Sequence, residues 1–109
     1  MRKTYIGELE EIVLLMIVLL QEEAYGVSIT QEIKGQLDRD ISVSAVHATL
    51  HRLGEKGYVT SFFGGATAER GGRRKRYFKI TVSGSKVLRK LREERELIWK
   101  QIPPNALPV

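Results

Sequence analysis

One basic, glycine-rich segment, GGATAERGGRRKR at residues 64–76, limits the fold more than any other part of the sequence. It contains four glycines and five cations and lies between YVTSFF (58–63) and KRYFKIT (75–81). Both flanking segments are rich in β-branched and aromatic residues, which favour strands. We therefore predict a long β-hairpin whose connection is the basic segment, where glycine lets the backbone turn and approach another molecule. Apolar residues occur on both faces of these strands, so the pattern does not indicate the buried face.

Helical periodicity dominates the first half of the chain. The segment IGELEEIVLLMIVLL begins with three glutamates, which stabilise the positive end of a helix dipole, and continues with a nearly unbroken apolar run at residues 12–20. Periodicity alone does not exclude a buried strand, but the length favours a helix that is buried on most sides. In YGVSITQEIKGQLD, Ile29, Ile33 and Leu37 share one helical stripe, and Gly26 is the predicted start.

The third predicted helix, in ISVSAVHATLHRLGEKG, has signals at both ends and two distinct faces. Ser42 is a natural N-cap, and Gly57 is placed to terminate the helix. An apolar stripe is formed by Val43, Val46, Leu50 and Leu53. The opposite face carries Ser44, Ala48, His51, Arg52 and Glu55, with Ala45 and His47 at its borders. Small residues mixed with donors and a cation let a helix approach another surface closely.

The last predicted helix runs from Thr81, a candidate N-cap, to Pro103. Its stripe consists of Leu88, Leu91, Arg95, Ile98 and Ile102, broadened by Val87, Leu97 and Trp99. A helix of about 20 residues is about 30 Å long, so its far end should extend beyond a domain of this size. We expect a second copy of the chain to cover that end. The predicted division is residues 1–81, the helix 82–102, and a frayed tail 103–109.

Charge is divided unevenly along the 109 residues, whose net charge is +5. Residues 1–57 contain six Lys/Arg and nine Asp/Glu, whereas residues 58–109 contain twelve Lys/Arg and four Asp/Glu. A basic half indicates nucleic acid or an anionic membrane surface as partner, although a well-solvated surface would also be basic. The apolar run of nine residues is too short to span a bilayer and lacks the features of a secretory signal, so we expect a cytoplasmic protein without membrane contact.

The predicted order of three helices, a long hairpin and a helix is that of a winged helix. The predicted fold class is therefore mainly α with a small β-hairpin: a winged helix-turn-helix followed by a long C-terminal dimerisation helix. In this arrangement the third helix enters the major groove of DNA, and the hairpin reaches the backbone or the minor groove. The arginines of residues 64–76 then serve as phosphate contacts.

Three motifs in order resemble the PadR family of bacterial transcription regulators. They are YGVSITQEI, SVSAVHATLHRLGEKGYV and GGRRKRYFKITVSG, and the resemblance covers roughly residues 9–90. The length is similar to that of the short subgroup, in which one C-terminal helix builds the dimer. The resemblance implies a homodimeric repressor that binds a pseudo-palindromic double-stranded DNA operator. Small hydrophobic or phenolic effectors release many members of the family from DNA.

Site residues follow from the face of the third helix, from the hairpin and from the resemblance. The predicted DNA-binding residues are Ser42, Ser44, Ala45, His47, Ala48, Thr49, His51, Arg52, Arg70, Arg73, Arg74, Lys75 and Arg76. The predicted dimer interface consists of Leu88, Leu91, Arg95, Ile98, Trp99 and Ile102. Two departures from the family stand out: His47 replaces the usual tyrosine, and Arg95 lies where some short members stack flat drugs on a tryptophan. Trp99, one turn later, is the candidate effector contact, with simple filling of the interface as the alternative.

Other functions are less compatible with the sequence. The absence of cysteine excludes disulfides, zinc fingers and thiol catalysis. His47, His51 and Glu55 extend over more than two helical turns and cannot easily converge on one ion, so we predict no metal and no cofactor. With only two histidines, the chain offers little for a catalytic site, and we predict no enzyme. A protein-interaction module and a non-specific nucleic-acid-binding protein remain alternatives, and the operator and the effector are not specified by the sequence.

Overall fold

The computed structural model describes residues 6–64 and 74–109. Its elements are α1 (Glu8–Leu20), α2 (Gly26–Leu37), α3 (Val43–Glu55), β1 (Val59–Gly64), β2 (Lys75–Ile80) and α4 (Val82–Gln101). A single 3₁₀ turn, Gln21–Glu23, joins α1 to α2. This order confirms the predicted fold class, a mainly helical winged helix with one antiparallel hairpin. No helix in the described part of the chain is long and apolar enough to cross a membrane.

The helix ends are fixed by local hydrogen bonds that the sequence predicted. The Ser42 Oγ accepts from the backbone N–H of Ala45 at 3.0 Å and begins α3. Gly57 has a φ of +79°, a left-handed conformation that residues with a side chain rarely adopt, and it ends the same helix. The Thr81 Oγ1 accepts from the Gly84 N–H at 3.1 Å and begins α4. All three predicted caps are confirmed.

The hydrophobic core lies where α1, α2 and α3 meet above the base of the hairpin. Its largest fully buried side chains include Leu14, Ile29, Ile33, Leu50 and Leu53. The expectation that α1 is buried on most sides is confirmed except along one face of the helix. The residues Leu15, Val18 and Leu19 remain exposed on one face of α1, because no other element of the described chain covers that face.

The hairpin has one face on the core and one face away from it. Its register pairs Val59 with Ile80 and Gly64 with Lys75, and an isolated bridge adds Tyr25 to the outer side of β2. Because side chains alternate along a strand, Phe78 is buried against the helices whereas its neighbour Tyr77 lies on the other face. The structure thus assigns the buried face that the sequence pattern left open.

The start of α4 is anchored to the turn between α3 and β1. The Thr81 backbone N–H donates to the Tyr58 carbonyl at 3.0 Å, and the Thr81 hydroxyl donates to the Gly57 carbonyl at 2.7 Å. Gly84 lies so close to the Tyr58 carbonyl that a Cβ at this position would overlap with it. We call this contact between residues 57–58 and residues 81–84 the α4 joint. It fixes the direction in which α4 leaves the winged helix.

Beyond residue 91 the side chains of α4 are exposed, as predicted for a helix that extends past the rest of the fold. Ile98 and Trp99 are each 60% exposed. Arg95 in this half of α4 still reaches α1, with its Nη2 3.9 Å from the Glu11 Oε1. Residues 103–109 are largely exposed, and their fraying remains a prediction.

Candidate nucleic-acid interface

The exposed face of α3 carries most of the residues predicted to contact DNA. Ser44, Ala48, His51 and Arg52 are exposed, whereas Val46, Leu50 and Leu53 on the other face are buried. Ser42 and His47 are exposed, and Ala45 is half-buried at the border. The face combines two small side chains near the helix start with a cation near its end. A helix with this distribution can lie close to a nucleic-acid groove.

Thr49 does not belong to the exposed face, which corrects one predicted DNA contact. Its side chain is 0% exposed. The hydroxyl donates to the Ala45 carbonyl at 2.8 Å and accepts from the Arg52 Nη2 at 3.2 Å. Thr49 lies three residues after Val46 and four before Leu53, so it occupies the same buried stripe. Its role is to hold the guanidinium of Arg52, which remains exposed.

An ion pair with a buried carboxylate joins the end of α3 to the start of α1. The Lys56 Nζ donates to the Glu10 Oε2 at 2.8 Å, and the other Glu10 oxygen accepts from the Gly7 N–H at 2.7 Å. Burial raises the pKa of Glu10. The hydrogen bond from Gly7 and the ion pair with Lys56, assisted by the charge of Arg52, outweigh burial, so that this pKa lies below its usual value of 4.5. The carboxylate is therefore stable as an anion in a site that is only 7% exposed.

Three cations of the hairpin that are predicted to contact DNA, Arg74, Lys75 and Arg76, are held against aromatic rings. The Arg74 guanidinium carbon lies 5.6 Å from the centre of the Phe63 ring, and that of Arg76 lies 5.6 Å from the centre of Phe78. The Arg76 Nε also donates to the Ser61 Oγ at 3.0 Å. Cation–π contacts of this kind limit the positions that a long side chain can adopt. Two further predicted contacts, Arg70 and Arg73, lie outside the described residues.

The described cations divide between the two faces of the hairpin. Arg74 and Arg76 lie on the face that packs against the helices at its base, the face that also carries Phe78. Lys75 lies on the opposite face, with its Nζ 4.0 Å from the centre of the Tyr25 ring. Tyr25 and Tyr77 make an edge-on contact with ring centres 5.5 Å apart. The structure thus separates Lys75 from the two arginines, which the sequence had grouped together.

Tyr25 and Gly26 are site residues that the prediction did not include. The exposed His47 ring packs directly on Gly26, where a Cβ would overlap with the imidazole. This contact brings the border of the exposed α3 face next to the first turn of α2, whose N–H groups can bind an anion. The Tyr-Gly pair before α2 is the signal in the sequence that marks this approach. Lys75, beside Tyr25, adds a cation to the same region.

Metal ligation has no support in the described residues. Residues 6–64 and 74–109 contain no group of three His, Asp or Glu side chains that could hold an ion. The His51 Nε2 lies 3.7 Å from the Glu55 Oε2, and both side chains are exposed. This pair is an ordinary surface contact between successive turns of α3.

The residues predicted for a dimer interface divide into an inner and an outer group. Leu88 and Leu91 are half-buried, and Leu88 packs against the core of its own chain. Ile98 and Trp99 are exposed in the outer half of α4, and Ile102 after the helix is half-buried. Only the outer group therefore offers substantial apolar surface to another chain.

Comparison with known proteins agrees with this architecture. Residues 14–90 match the Transcriptional regulator PadR-like family. A transcriptional regulator from Clostridium thermocellum has a TM-score of 0.66 and 28% identity, with 84% of this chain and 85% of that chain covered. A PadR-like transcriptional regulator from Bacillus cereus has a TM-score of 0.69 and 19% identity, with 86% of each chain covered. Bacillus subtilis PadR in complex with operator DNA has a TM-score of 0.62 and 23% identity, with 77% of this chain and 46% of that chain covered.

Proposed function

Because the chain belongs to the PadR-like family of transcriptional regulators, we propose that it is a homodimeric repressor that binds a pseudo-palindromic DNA operator in the cytoplasm. The observation that carries this proposal is the exposed polar face of α3 beside a hairpin whose arginines are held on aromatic rings. The operator complex of Bacillus subtilis PadR supports the choice of ligand. The family and its solved members are regulators rather than enzymes.

In the proposed complex α3 lies in the major groove. Ser44 and Ala48 have short side chains, so the helix backbone can approach the base edges closely. Arg52, held by Thr49, is positioned for a base or a phosphate near the end of the helix. His47 and Lys75 flank the first turn of α2 and are proposed as phosphate contacts. Base contacts along α3 supply specificity, whereas phosphate contacts fix the position of the protein on the duplex.

The hairpin supplies affinity that does not depend on sequence. Each phosphate neutralised by Arg74, Arg76 or another cation releases counterions, so log K falls by about 0.9 per phosphate and unit of log salt concentration. The guanidinium groups are already ordered by Phe63, Phe78 and Ser61, which lowers the entropy lost when they bind.

A dimer accounts for the large surface of the single chain. The accessible surface is 8227 Å² for a mass of 12.4 kDa. A compact monomer of this mass exposes about 6,100 Å². The radius of gyration is 16.6 Å, against about 13 Å for a compact domain of this length. Part of this excess is the apolar surface exposed on α1 and α4, which a second copy would cover.

The apolar side chains that a second copy would cover lie on two helices. They are Leu15 and Leu19 on α1, with Leu97, Ile98 and Trp99 on α4. We place the proposed interface on both helices, which extends the predicted interface from α4 to α1. Two-fold symmetry then directs the two α3 helices to half-sites about one turn of DNA apart.

Release of the repressor by a small hydrophobic effector is part of the same proposal. Trp99 offers a flat apolar surface at 60% exposure, next to the proposed interface. Replacement of Trp99 by Leu tests this role, since it keeps an apolar side chain and removes the ring. An intact dimer that no longer responds to effectors supports an effector contact, whereas unchanged release shows that Trp99 only fills the interface.

The proposal is tested by fluorescence anisotropy with a labelled duplex from upstream of the protein's own gene and a scrambled duplex of equal length. We expect binding to the upstream duplex to be about a hundredfold tighter at the higher of two salt concentrations. Equal and steeply salt-dependent binding to both duplexes would indicate a non-specific nucleic-acid-binding protein. Absence of binding at low salt to any of a pool of genomic fragments would favour a protein-interaction module.

A further inference from the structure

An apolar cavity of about 350 Å³ lies between the end of α1 and the hairpin, away from the exposed face of α3. Its inner wall includes Ile17 and Phe78, which are buried in the core, together with Ile80. Val18 and Phe62 also line it, and they remain 40% and 45% exposed. Cavities of this volume with mainly apolar walls and a few polar groups are typical of small-molecule sites.

The charges around the cavity favour a cation. Glu22 lines the cavity, and among residues 6–64 and 74–109 its carboxylate has neither a hydrogen bond nor an ion pair. The carboxyl end of α1 meets the cavity here and carries a partial negative charge, with no basic residue in its last turn. Lys79 is the single cation of the lining. A positively charged group of a ligand can therefore pair with the Glu22 carboxylate. A hydrogen-bond acceptor of the same ligand can bind Lys79.

An unusual backbone conformation occurs at the same place. Gln21, which also lines the cavity, has φ 53° and ψ −122°, an unfavourable combination for a residue with a side chain. Its side-chain amide donates to the Val18 carbonyl at 2.7 Å, and its backbone N–H bonds to the Ile17 carbonyl. Such conformations occur preferentially at ligand sites, where the surrounding structure enforces them.

We propose that this cavity binds small aromatic molecules that carry a protonated amine. The ring lies between Val18 and Phe62, and the ammonium group lies beside Glu22 and the end of α1. The site is separate from Trp99, which lies in the outer half of α4. Because Phe78 and Ile80 belong to β2, a bound molecule contacts the strand that also carries Lys75 and Arg76.

The test is a titration of the full-length protein, observed through the methyl resonances of isoleucine and valine, with three indole probes of similar size. Tryptamine carries an ammonium group, tryptophol is neutral, and indole-3-propionate is an anion. We expect tryptamine to shift the signals of Ile17, Val18 and Ile80 with a dissociation constant of about 1 mM or below. Tryptophol should bind several times more weakly, and indole-3-propionate more weakly still.

Two pairs of variants separate the ring site from the charge site. Val18→Trp fills the cavity and should abolish the shifts, whereas Leu37→Trp, at an exposed position at the end of α2 and outside the cavity, should not. Glu22→Gln should weaken tryptamine about three- to fivefold and leave tryptophol unchanged, whereas Glu23→Gln should change neither. Sedimentation of each variant confirms that it retains the assembly of the parent protein.

Three results would overturn the proposal: equal binding of the anion and the cation, equal effects of the two tryptophan variants, or shifts confined to the Trp99 indole N–H. Complete absence of shifts at 10 mM tryptamine (about ten times the expected constant) would do the same. None of these measurements contains DNA, so their failure leaves the proposed repressor function unaffected.

Discussion

Removing the charge of Glu10 should destabilise the fold in a pH-dependent way. In Glu10→Gln the amide oxygen can still accept from the Gly7 N–H, but the Lys56 ammonium loses its anionic partner at 2.8 Å. Hydrogen bonds to charged groups contribute about 1.5–3 kcal/mol. Because Glu10 is only 7% exposed and the Lys56 side chain is 31% exposed, we expect a loss of about 2 kcal/mol in the free energy of unfolding at pH 7.

The sign of the pH effect follows from the lowered pKa of Glu10. A carboxyl group whose pKa is lower in the folded state contributes stability above the unfolded pKa, and that contribution disappears as the pH falls through the folded pKa. The difference in the free energy of unfolding between the parent protein and Glu10→Gln should therefore have its full value above about pH 5. It should shrink progressively below pH 4.5, which is the ordinary pKa of this group.

Urea unfolding followed by circular dichroism at a fixed protein concentration measures this difference at each pH. The matched control is Glu8→Gln, which removes an ion pair with Arg39 that is exposed to solvent and should change stability little. A double-mutant cycle with Lys56→Met should give a coupling energy of about 1–2 kcal/mol. A destabilisation of Glu10→Gln that is the same at pH 7 and pH 3.5, or a coupling energy near zero, would refute the reasoning.

The other predictions concern DNA, the dimer and the α4 joint. Replacing Arg74 and Arg76 by Ala should weaken binding to operator and scrambled DNA alike. It should also reduce the slope of log K against log salt concentration by up to about 1.8, as measured by anisotropy at several salt concentrations. A loss of affinity limited to the operator would contradict a role in phosphate binding. Ile98→Glu should convert the dimer to monomers, since a charge enters an apolar interface, and an intact dimer at micromolar concentration in sedimentation would show that Ile98 lies outside it. Gly84→Ala should cost about 1–3 kcal/mol in urea unfolding because its Cβ overlaps with a carbonyl, whereas Gly35→Ala, in open space on α2, should stabilise by up to about 1 kcal/mol. If Gly84→Ala and Gly35→Ala changed the free energy of unfolding equally, the α4 joint would have room for an added Cβ.

Local signals predicted most of the fold. Ser42, Gly57 and Thr81 define helix ends by hydrogen bonds or backbone angles within a few residues of themselves, so the sequence alone identified them. The ion pair between Glu10 and Lys56 joins residues 46 positions apart and has no local signal. The same is true of the cavity between α1 and the hairpin, whose lining comes from residues 17–22 and 62–80.

The error at Thr49 has a specific physical origin. The resemblance to the PadR family, rather than the helical pattern, places Thr49 among the predicted DNA contacts, whereas in the structure its side chain is buried. A threonine can occupy the core because its hydroxyl donates to the carbonyl one turn earlier, here that of Ala45. A position carried over from a family motif therefore does not show which side of the helix a residue occupies, whereas the spacing of Thr49 from Val46 and Leu53 does.

In the proposed dimer, the distance between the two α3 helices depends on how rigidly the α4 joint holds the angle of α4. In the proposed dimer each α3 is connected to the symmetry axis through Thr81, Gly84 and the 20 residues of α4. Over a helix about 30 Å long, a pivot of about 5° at the joint displaces the far end by about 2.6 Å. Successive base pairs are about 3.4 Å apart, so a pivot of this size changes the fit to two half-sites by most of one base-pair step. In the proposed dimer, the close contact between Gly84 and the Tyr58 carbonyl would therefore limit the variation in operator length that the protein tolerates.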